Sequence, residues 1–289
     1  MIVSSARGVR KVEPWLFLLP ALGAFATFLF WPFFKTIYLS LFLTNRLGLP
    51  KVFVGLGNYI SLFQSPAFYN SLFVTLVFVV LMVAGSMAMG LGTALLCNAA
   101  FPGRGLFRTM YAMPMAIASS SAAMIFKVVL HPTVGVVNKL TGLSINWLAD
   151  PSWALICVAV ISSWLNSGIN FLYFSAGLAN IDQTLYERAS SDGASRWQQL
   201  RYVTLPGLRP ILFFTLVVNV IMAFQSFAQV RVLTRGGPGD ATNVIVHSIY
   251  RDAFFNFRFG SAAAQSVVLF VIIMILTLAM FKSKRSGRP

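Results

Sequence analysis

Six long apolar runs divide the chain and constrain its fold more than any other feature of the sequence. A helix needs roughly 20 residues to cross a bilayer, and each run reaches or approaches that length with few charges inside it. The runs occupy residues 16–36, 68–100, 109–130, 153–178, 211–230 and 260–281. They predict an all-α integral membrane protein, with six transmembrane helices in a single domain over residues 1–289.

The composition supports lipid as the solvent for much of the chain. Of 289 residues, 57% are hydrophobic and 10% are charged, whereas roughly 25% are charged in an ordinary soluble domain. A net charge of +15 would suggest nucleic acid in a soluble protein. Here the Lys and Arg residues lie mainly in short loops between apolar runs, where they act as topology signals and contact membrane lipid. We therefore expect no nucleic-acid partner.

Basic residues also cluster at both chain ends. Residues 7–11 carry three cations before the first run, and residues 282–288 carry four after the last run. Because Lys and Arg favour the cytoplasmic side, both termini are predicted to lie in the cytoplasm. An even number of helices agrees with this, since it places both ends on the same side. The first run is interpreted as a retained helix, because it can span a bilayer and lacks an Ala-x-Ala cleavage site.

One hydrophilic segment, residues 182–206, separates the fourth run from the fifth. Residues 185–192 suit a short helix, and Gly193 can adopt the positive φ that ends a helix and redirects the chain. Ser195 offers an N-cap for a second helix over residues 196–203, and Leu205-Pro206 is expected to stop that helix. The pattern predicts a rigid helix–bend–helix projection on the cytoplasmic side.

The spacing within residues 182–206 resembles the EAA motif of ABC importer permeases, and after this resemblance we call the stretch the coupling segment. The residues that carry the pattern are Glu187, Ala189, Gly193, Val203, Leu205 and Pro206. Arg188 stands where the family has Ala, and Val203 where it usually has Ile. In the family this motif forms the coupling helices that dock into a cleft on the ATP-hydrolysing subunit. The resemblance assigns ATPase coupling to Glu187, Arg188, Ala189, Asp192, Gly193, Leu205 and Pro206.

Four other stretches, residues 14–33, 54–63, 233–254 and 259–270, resemble carbohydrate-uptake permeases, the last most closely those of the sn-glycerol-3-phosphate type. The resemblance implies the type I ABC importer permease fold, a bacterial cytoplasmic (inner) membrane location and transport by alternating access. The implied partners are a second homologous permease, two ABC ATPase subunits and an extracytoplasmic solute-binding protein. The sequence contains no GxxxxGK[ST] phosphate loop, so ATP and Mg²⁺ are expected on the ATPase subunits, with no catalytic residue, cofactor or metal in this chain.

Polar residues inside the fourth and fifth runs predict a translocation path. Such residues are costly in lipid and face the bundle interior, and a side-chain amide can both donate to and accept from a solute hydroxyl. Hydrogen bonding between helices is the alternative. The predicted path comprises Ser162, Asn166, Asn170, Asn219, Gln225, Gln229 and Arg231. Arg231 would help to neutralise a phosphate, although a lipid-facing, snorkelling arginine is the alternative for it.

A second long loop, residues 233–259, is predicted on the external side. Its Gly236-Gly237-Pro238-Gly239 sequence forces a turn, and residues 245–255 suit an amphipathic helix lying at the outer surface. The resemblance assigns docking of the solute-binding protein to this loop, through Gly236, Gly237, Pro238 and Tyr250. The two histidines, His131 and His247, are expected at the surface, without a metal site.

Glycines in the second run favour close helix packing rather than nucleotide binding, because no strand precedes Gly85, Gly90 and Gly92. Two other classes of function have less support. A stand-alone ion-coupled transporter would place acids inside the spans, but all seven acids lie in loops or at span ends. A membrane enzyme would need a cluster of His, Asp or Cys at the membrane interface, and the sequence shows no such cluster. The substrate stays open among sn-glycerol-3-phosphate, its diesters, sugars and oligosaccharides.

Overall fold

The computed structural model describes residues 6–99 and 102–286. Residue 100, at the end of the second predicted run, and the terminal Arg288 lie outside the described residues. The described chain forms two compact units. The first contains residues 6–65 and 249–271, and the second contains residues 66–248 and 272–286. Helices dominate both units, which agrees with the predicted all-α class.

The first unit begins with one long apolar helix. Helix α1 (Ala6–Phe25) continues through a π-helical turn (Ala26–Phe30) into α2 (Trp31–Ser40). Pro32 lies in the first turn of α2, a position that tolerates proline in helices. Large side chains such as Phe17 and Phe28 stay exposed within the chain. Such exposure fits a helix that lies in lipid, where apolar side chains need no protein cover.

A small hairpin follows, and the apolar runs do not predict it. Strands β1 (Phe42–Thr44) and β2 (Pro50–Phe53) pair antiparallel, and α3 (Gly57–Phe63) comes next. Asn58 in α3 fixes the hairpin, because its Nδ2 donates to the carbonyl oxygens of Ser40 at 2.8 Å and of Phe42 at 3.0 Å. The same unit contains the first half of the last helix, where Gly260 packs directly on the Phe42 carbonyl oxygen.

The remaining helices follow in chain order. They are α4 (Pro66–Asn98), α5 (Arg104–Ala112), a 3₁₀ turn (Met113–Ala116), α6 (Ser119–Val129), α7 (Val136–Thr141), α8 (Pro151–Ala179), α9 (Gln183–Ser191), α10 (Arg196–Gln199), a π turn (Leu200–Thr204), α11 (Leu205–Gly207), α12 (Arg209–Phe224), α13 (Ala228–Leu233), α14 (Ile245–Phe254) and α15 (Phe259–Ser286).

Six candidate membrane spans arise from these elements, provided that each of two bent pairs counts as one span. Four are unbroken: Phe17–Ser40, Pro66–Asn98, Pro151–Ala179 and Phe259–Ser283. In the two bent pairs, Arg104–Ala116 meets Ser119–Val129 at 102° and Arg196–Gly207 meets Arg209–Phe224 at 65°. All six predicted runs therefore have a counterpart among the described residues.

The predicted helices over 109–130 and 211–230 are wrong as continuous elements. The first breaks after a 3₁₀ turn containing Pro114, and the chain is extended at Ile117 and Ala118 before α6 begins. Proline lacks the N–H that a continuous α-helix would use. The second ends at Phe224, and α13 begins only at Ala228. Within that break, Ser226 Oγ donates to Gln229 Oε1 at the start of α13 (3.1 Å).

Helices α4 and α8 pack along each other in the second unit. Two glycines of α4 permit the close approach, because a Cβ would lie 2.6 Å from Ser163 Oγ at Gly85 and 2.5 Å from Asn170 Cβ at Gly90. The predicted packing role is confirmed for these two residues. At Gly92 a Cβ would meet no described atom within 4 Å, so the packing role stays a prediction there.

A buried apolar cluster lies towards the C-terminal ends of α4 and α8. Its buried members are Ala94, Cys97, Phe171, Phe174, Leu178 and Leu208. Leu208 is the residue between α11 and α12, and it is fully buried. Gly177 makes room for it, since a Cβ there would lie 2.8 Å from Leu208 Cδ2. The start of α12 is thereby fixed to α8 by apolar packing.

Candidate functional site

The coupling segment begins with a well-defined helix. Asp182 caps α9, its Oδ1 accepting a hydrogen bond from the Thr184 backbone N–H at 2.9 Å. At the other end, the N–H groups of Ala194 and Gly193 donate to the carbonyl oxygens of Ala189 (2.9 Å) and Ser190 (3.0 Å). Gly193 has φ +76°, so the helix ends in a Schellman motif. The positive φ predicted for Gly193 is confirmed.

The second helix of the segment starts as predicted but ends later. Ser195 and Gln198 form a reciprocal capping box, with distances of 2.7 and 3.3 Å. The helix then continues through the π turn into α11, which contains Pro206. The prediction that Leu205-Pro206 stops the helix is therefore wrong. A π turn has a wider hydrogen-bond pattern than an α-helix, and the chain bends at Leu208 instead.

Side-chain hydrogen bonds tie the two helices of the segment together. Tyr186 Oη lies 3.0 Å from Thr204 Oγ1. Gln199 Nε2 donates to Ser190 Oγ at 3.0 Å and to the Ala194 carbonyl oxygen at 3.3 Å. Thr204, in the π turn, is itself buried, so these bonds join α9 to α10 and to the π turn that follows it.

The outer surface of the coupling segment combines charges with uncovered rings. Glu187, Arg188, Asp192 and Gly193 are exposed, while Ala189, Leu205 and Pro206 are partly buried. Trp197 is 68% exposed and Tyr202 is 70% exposed. Large apolar rings on a hydrophilic projection are typical of a protein interface. The sequence indicates Trp197 as apolar surface, but it gives no comparable reason to single out Tyr202.

A cavity of about 310 Å³ lies among the 3₁₀ turn after α5, helix α8 and helix α12. Three of the seven residues of the predicted path line it, and they come from two different helices: Asn166 and Asn170 from α8, and Asn219 from α12. Tyr173 and Ser119 add hydroxyl groups, and apolar side chains such as Met115 complete the wall. No charged side chain lines the cavity among the described residues.

Two of the three asparagines bind each other. Asn219 Nδ2 donates to Asn170 Oδ1 at 2.8 Å, and Asn170 Nδ2 donates to Asn219 Oδ1 at 3.1 Å. Ser86 of α4 donates to the same Asn219 oxygen at 3.0 Å, and Asn219 Nδ2 also donates to the Thr215 carbonyl oxygen at 2.7 Å. Both amides are almost fully buried. The pair joins α8 to α12, and Ser86 extends it to α4.

Asn166 has a different environment. It is half-buried, and its Nδ2 donates to the Ser162 carbonyl oxygen one turn earlier at 2.9 Å. Its Oδ1 has no hydrogen-bond partner among the described residues. The lining thus contains one amide oxygen with unused capacity beside two amides that are satisfied by each other.

The other four residues of the predicted path lie outside the described cavity lining. Ser162 is buried in α8, and its Oγ has no partner among the described atoms. Gln225 is exposed just after α12, Gln229 is buried in α13, and Arg231 is half-buried in α13. Gln225 and Gln229 do not lie on one helix, because the break at residues 225–227 separates them.

The Gly-rich part of the loop over residues 233–259 forms the predicted turn. Arg235, Gly236, Gly239 and Asp240 all have positive φ. Thr242 Oγ1 closes the turn, lying 2.7 Å from Thr234 Oγ1 and donating to the Gly237 carbonyl oxygen at 2.7 Å. Of the proposed docking residues, Gly237 and Pro238 are partly exposed and Gly236 is buried. Tyr250 is partly buried, with its ring 5.1 Å from that of Phe254.

The prediction of a surface helix over residues 245–255 is wrong for its first turns. Ile245 is fully buried, and its N–H donates to Thr75 Oγ1 in α4 at 2.8 Å. His247, predicted at the surface, is 2% exposed. Its Nδ1 lies 2.9 Å from Asn243 Oδ1, and its ring stacks near Phe227. A hydrogen bond and ring stacking make this burial tolerable. His131 is exposed, as predicted.

Sequence reasoning missed Ser86 and Tyr173. Ser86 lies inside an apolar run, where a polar side chain is itself a signal of an interior-facing position. The neighbouring glycines, Gly85 and Gly90, indicate backbone packing, and that interpretation left the polar Ser86 unassigned. Tyr173 lies one turn after Ile169 on the same side of α8 as the asparagines, and its hydroxyl gives the same kind of signal. Both residues would be predicted to face the bundle interior if every polar side chain within an apolar run were considered.

The geometry defines a helical protein with up to six candidate membrane spans and a hydrophilic helix–bend–helix segment between α8 and α12, and comparison with known proteins identifies its family. The family described as "Binding-protein-dependent transport system inner membrane component" matches residues 14–284. The chain is 36% identical over 277 residues to the sn-glycerol-3-phosphate transport system permease protein UgpA of Agrobacterium fabrum, covering 94% of each protein. It is 34% identical to UgpA of Brucella abortus, with the same coverage.

The fold is also that of a solved transporter. A bacterial ABC transporter involved in the import of the acidic polysaccharide alginate superposes with a TM-score of 0.85 at 24% identity, covering 98% of this chain and 99% of the other. A bacterial alginate ABC transporter in complex with an alginate pentasaccharide-bound periplasmic protein superposes equally well, with a TM-score of 0.85, 24% identity and 98% coverage of each chain. This chain belongs to the family of binding-protein-dependent transport system inner membrane components, and its predicted type I ABC importer permease fold is confirmed.

Proposed function

We propose that this chain is one of two permease subunits in an ATP-driven importer of a small hydroxylated solute. Its family supports dependence on an external solute-binding protein. The names of its relatives support sn-glycerol-3-phosphate or a glycerophosphodiester as the solute, with a sugar or oligosaccharide as the alternative. A second homologous permease and two ATPase subunits complete the complex, and both termini of this chain lie in the cytoplasm.

One observation carries the proposal: helix α12 joins the coupling segment to the polar cavity. The segment leads directly into α12, whose start is fixed by the buried Leu208, and Asn219 lies ten residues after Arg209 on the same helix. At about 1.5 Å per residue, that separation is about 15 Å along the axis. A displacement of the segment therefore reaches the cavity through one rigid element.

The coupling segment is the entry point for work done by ATP on the partner subunits. ATP and Mg²⁺ bind to the ATPases, whose closure carries the segments of the two permeases together. Glu187, Arg188 and Asp192 offer charge to the docking cleft, and Trp197 offers apolar area. Ala189 and Gly193 fix the bend, while Leu205 and Pro206 lie where the segment returns to the membrane. Alternation of the cavity between the two sides follows from this motion.

The cavity suits hydroxyl groups, because amides and hydroxyls can each donate and accept. Asn166 is the first contact, since its Oδ1 is not engaged, and Asn170 and Asn219 can exchange their mutual bonds for bonds to the solute. Ser162, Gln225 and Gln229 would contribute in other states of the cycle. A phosphate on the solute needs a cation, and Arg231 is the candidate in this chain. The solute-binding protein docks on the external loop at Gly237 and Pro238 with Tyr250, while Gly236 shapes the turn.

The test is uptake by the reconstituted complex. The chain is co-expressed with its second permease and ATPase subunits, placed in proteoliposomes, and supplied with the solute-binding protein, labelled sn-glycerol-3-phosphate and ATP. We expect uptake that needs ATP and falls on competition with glycerophosphodiesters. Competition by sugars alone would show that the solute is a sugar, while the proposal that the chain is an importer subunit would stand. Failure of the chain to co-purify with an ATPase subunit would overturn the importer itself.

A further inference from the structure

The loop between α6 and α8, residues 131–149, has a fixed internal structure centred on Asn138; we call it the Asn138 loop. The Asn138 side chain is buried. Its Nδ2 donates to the carbonyl oxygens of Pro132 (3.0 Å) and Ile145 (2.8 Å), and its Oδ1 accepts from Trp147 Nε1 at 2.6 Å. One side chain therefore holds the beginning, middle and end of the loop together.

Gly135 contributes to the same rigidity. A Cβ at this position would overlap the carbonyl oxygens of Val129 and His131, so the turn before α7 closes only with glycine. At the other end of α7, Gly142 has φ +69° and donates its N–H to the Asn138 carbonyl oxygen at 2.9 Å. The shape of the loop is thus set by backbone and polar bonds rather than by burial of its aliphatic side chains.

Four aliphatic side chains of this loop point away from the protein. Val134, Val136, Leu140 and Leu143 form this aliphatic set, and all are exposed, Leu140 by 81%. Val136 and Leu140 are four residues apart on α7 and share one face. Large aliphatic side chains that stay uncovered on a rigid loop indicate a surface that contacts either lipid or another protein.

The position of the loop identifies the bilayer interface as that partner. The Trp147 ring packs edge-on against Trp153, with centroids 5.3 Å apart. Trp153 lies in the first turn of α8, which is a candidate membrane span. The loop is therefore fixed at the level where α8 enters the bilayer, and tryptophans favour that headgroup level.

The charge of the loop fits the same partner. Residues 131–149 contain Lys139 and His131 but no Asp or Glu. Lys139 is exposed beside Leu140, so its ammonium group can reach anionic headgroups while Leu140 enters the acyl boundary. We propose that the aliphatic set inserts into the headgroup–acyl boundary of the bilayer, so that the Asn138 loop anchors the adjoining ends of α6 and α8.

Fluorescence quenching tests the proposal on the full chain. Cys97 and Cys157 are replaced by Ala, and an environment-sensitive label is attached at Leu140→Cys or Val136→Cys. The protein is inserted into vesicles of phosphatidylcholine and phosphatidylglycerol. One quencher is lipid spin-labelled near the headgroup, and the other is iodide in the water. A label at Gln183→Cys, on the exposed start of α9, serves as the aqueous reference.

We expect the labels at positions 136 and 140 to lose more fluorescence to the spin-labelled lipid than the reference does, and less to iodide. Two outcomes overturn the proposal. Iodide quenching equal to that of the reference would place the set in water. Protection from both quenchers would place it against protein, such as a second subunit. Because the measurement needs no solute or ATP, its result is independent of the proposed transport function.

Discussion

The Asn170–Asn219 pair offers a direct test of whether the buried amides serve packing or solute passage. Replacing Asn219 with Ala removes two bonds to Asn170 and one from Ser86. Ser86 keeps its bond to the Val83 carbonyl oxygen at 3.2 Å. The Thr215 carbonyl loses only a side-chain donor. The main loss of hydrogen bonding therefore falls on the buried Asn170, whose Nδ2 and Oδ1 both lose their bonds to Asn219.

That loss has a predictable size. Leaving a buried polar group unsatisfied costs about 1–3 kcal/mol, whereas a hydrogen bond between membrane helices averages about 0.6 kcal/mol. The cavity beside the pair can admit water to Asn170, which favours the lower half of the range. We expect Asn219→Ala to lower the free energy of unfolding by about 1–2 kcal/mol. Asn166→Ala is the matched control, and its loss should stay within about 0.5 kcal/mol because only a local bond disappears.

The assay is reversible unfolding of the purified chain in mixed micelles with increasing dodecyl sulfate, followed by circular dichroism. The double variant Asn170→Ala/Asn219→Ala completes a thermodynamic cycle. It should lose less stability than the sum of the two single variants, because no orphaned amide remains. Equal losses for Asn219→Ala and Asn166→Ala, or strict additivity in the cycle, would refute the reasoning that the reciprocal pair stabilises the bundle.

Four further predictions concern the backbone and the coupling segment. Gly90→Ala should lower the free energy of unfolding by about 1–3 kcal/mol, because its Cβ would overlap Asn170, whereas Gly92→Ala should not destabilise; the same denaturant titration compares them. Gly193→Ala should lower the free energy of unfolding by about 1 kcal/mol, because Gly193 has a positive φ. Glu187→Lys, at an exposed site, should abolish uptake in proteoliposomes while ATP hydrolysis continues. Unimpaired uptake by Glu187→Lys would contradict the coupling role. Tyr186→Phe should reduce the solute moved per ATP, since it removes the bond to Thr204.

Local signals predicted the coupling segment well. The Gly193 bend and the Ser195 cap depend on conformational preferences of single residues, and those preferences act within a few bonds of the residue itself. The end of the second helix was missed because Pro206 follows a π turn, and no simple propensity predicts where a π turn occurs. The end of this helix depends on the hydrogen-bond pattern of several residues, whereas a propensity describes one residue at a time.

The breaks in the third and fifth spans were missed for a related reason. Hydropathy measures the apolar character of a run and is indifferent to where the helix bends within it. Pro114 is a visible signal, but proline is tolerated in membrane helices, so it does not by itself require a break. The site nevertheless depends on that break, because Pro114 and Met115 line the cavity only where α5 and α6 separate.

The burial of His247 shows where charge and polarity mislead. Its loop is rich in Gly, Asp and Arg, which favours exposure, but Asn243 supplies a partner for the ring and Phe227 covers one face. Whether a polar residue is buried depends on partners that are distant in sequence or hidden by a turn. The aliphatic set of the Asn138 loop is the reverse case, where apolar residues stay outside because Asn138 and Gly135 determine the backbone.

The amide pair also bears on how a solute could pass. A hydroxyl that binds Asn170 or Asn219 must replace a bond that those residues already make, so the exchange is close to neutral in free energy. A hydroxyl that binds Asn166 Oδ1 displaces no protein bond. Asn166 should therefore contribute more to solute affinity than either partner of the pair, while Asn170 and Asn219 set how α8 and α12 move relative to each other. Asn166→Ala should accordingly raise the KM for uptake with stability unchanged, and a raised KM for Asn219→Ala alone would reverse these assignments.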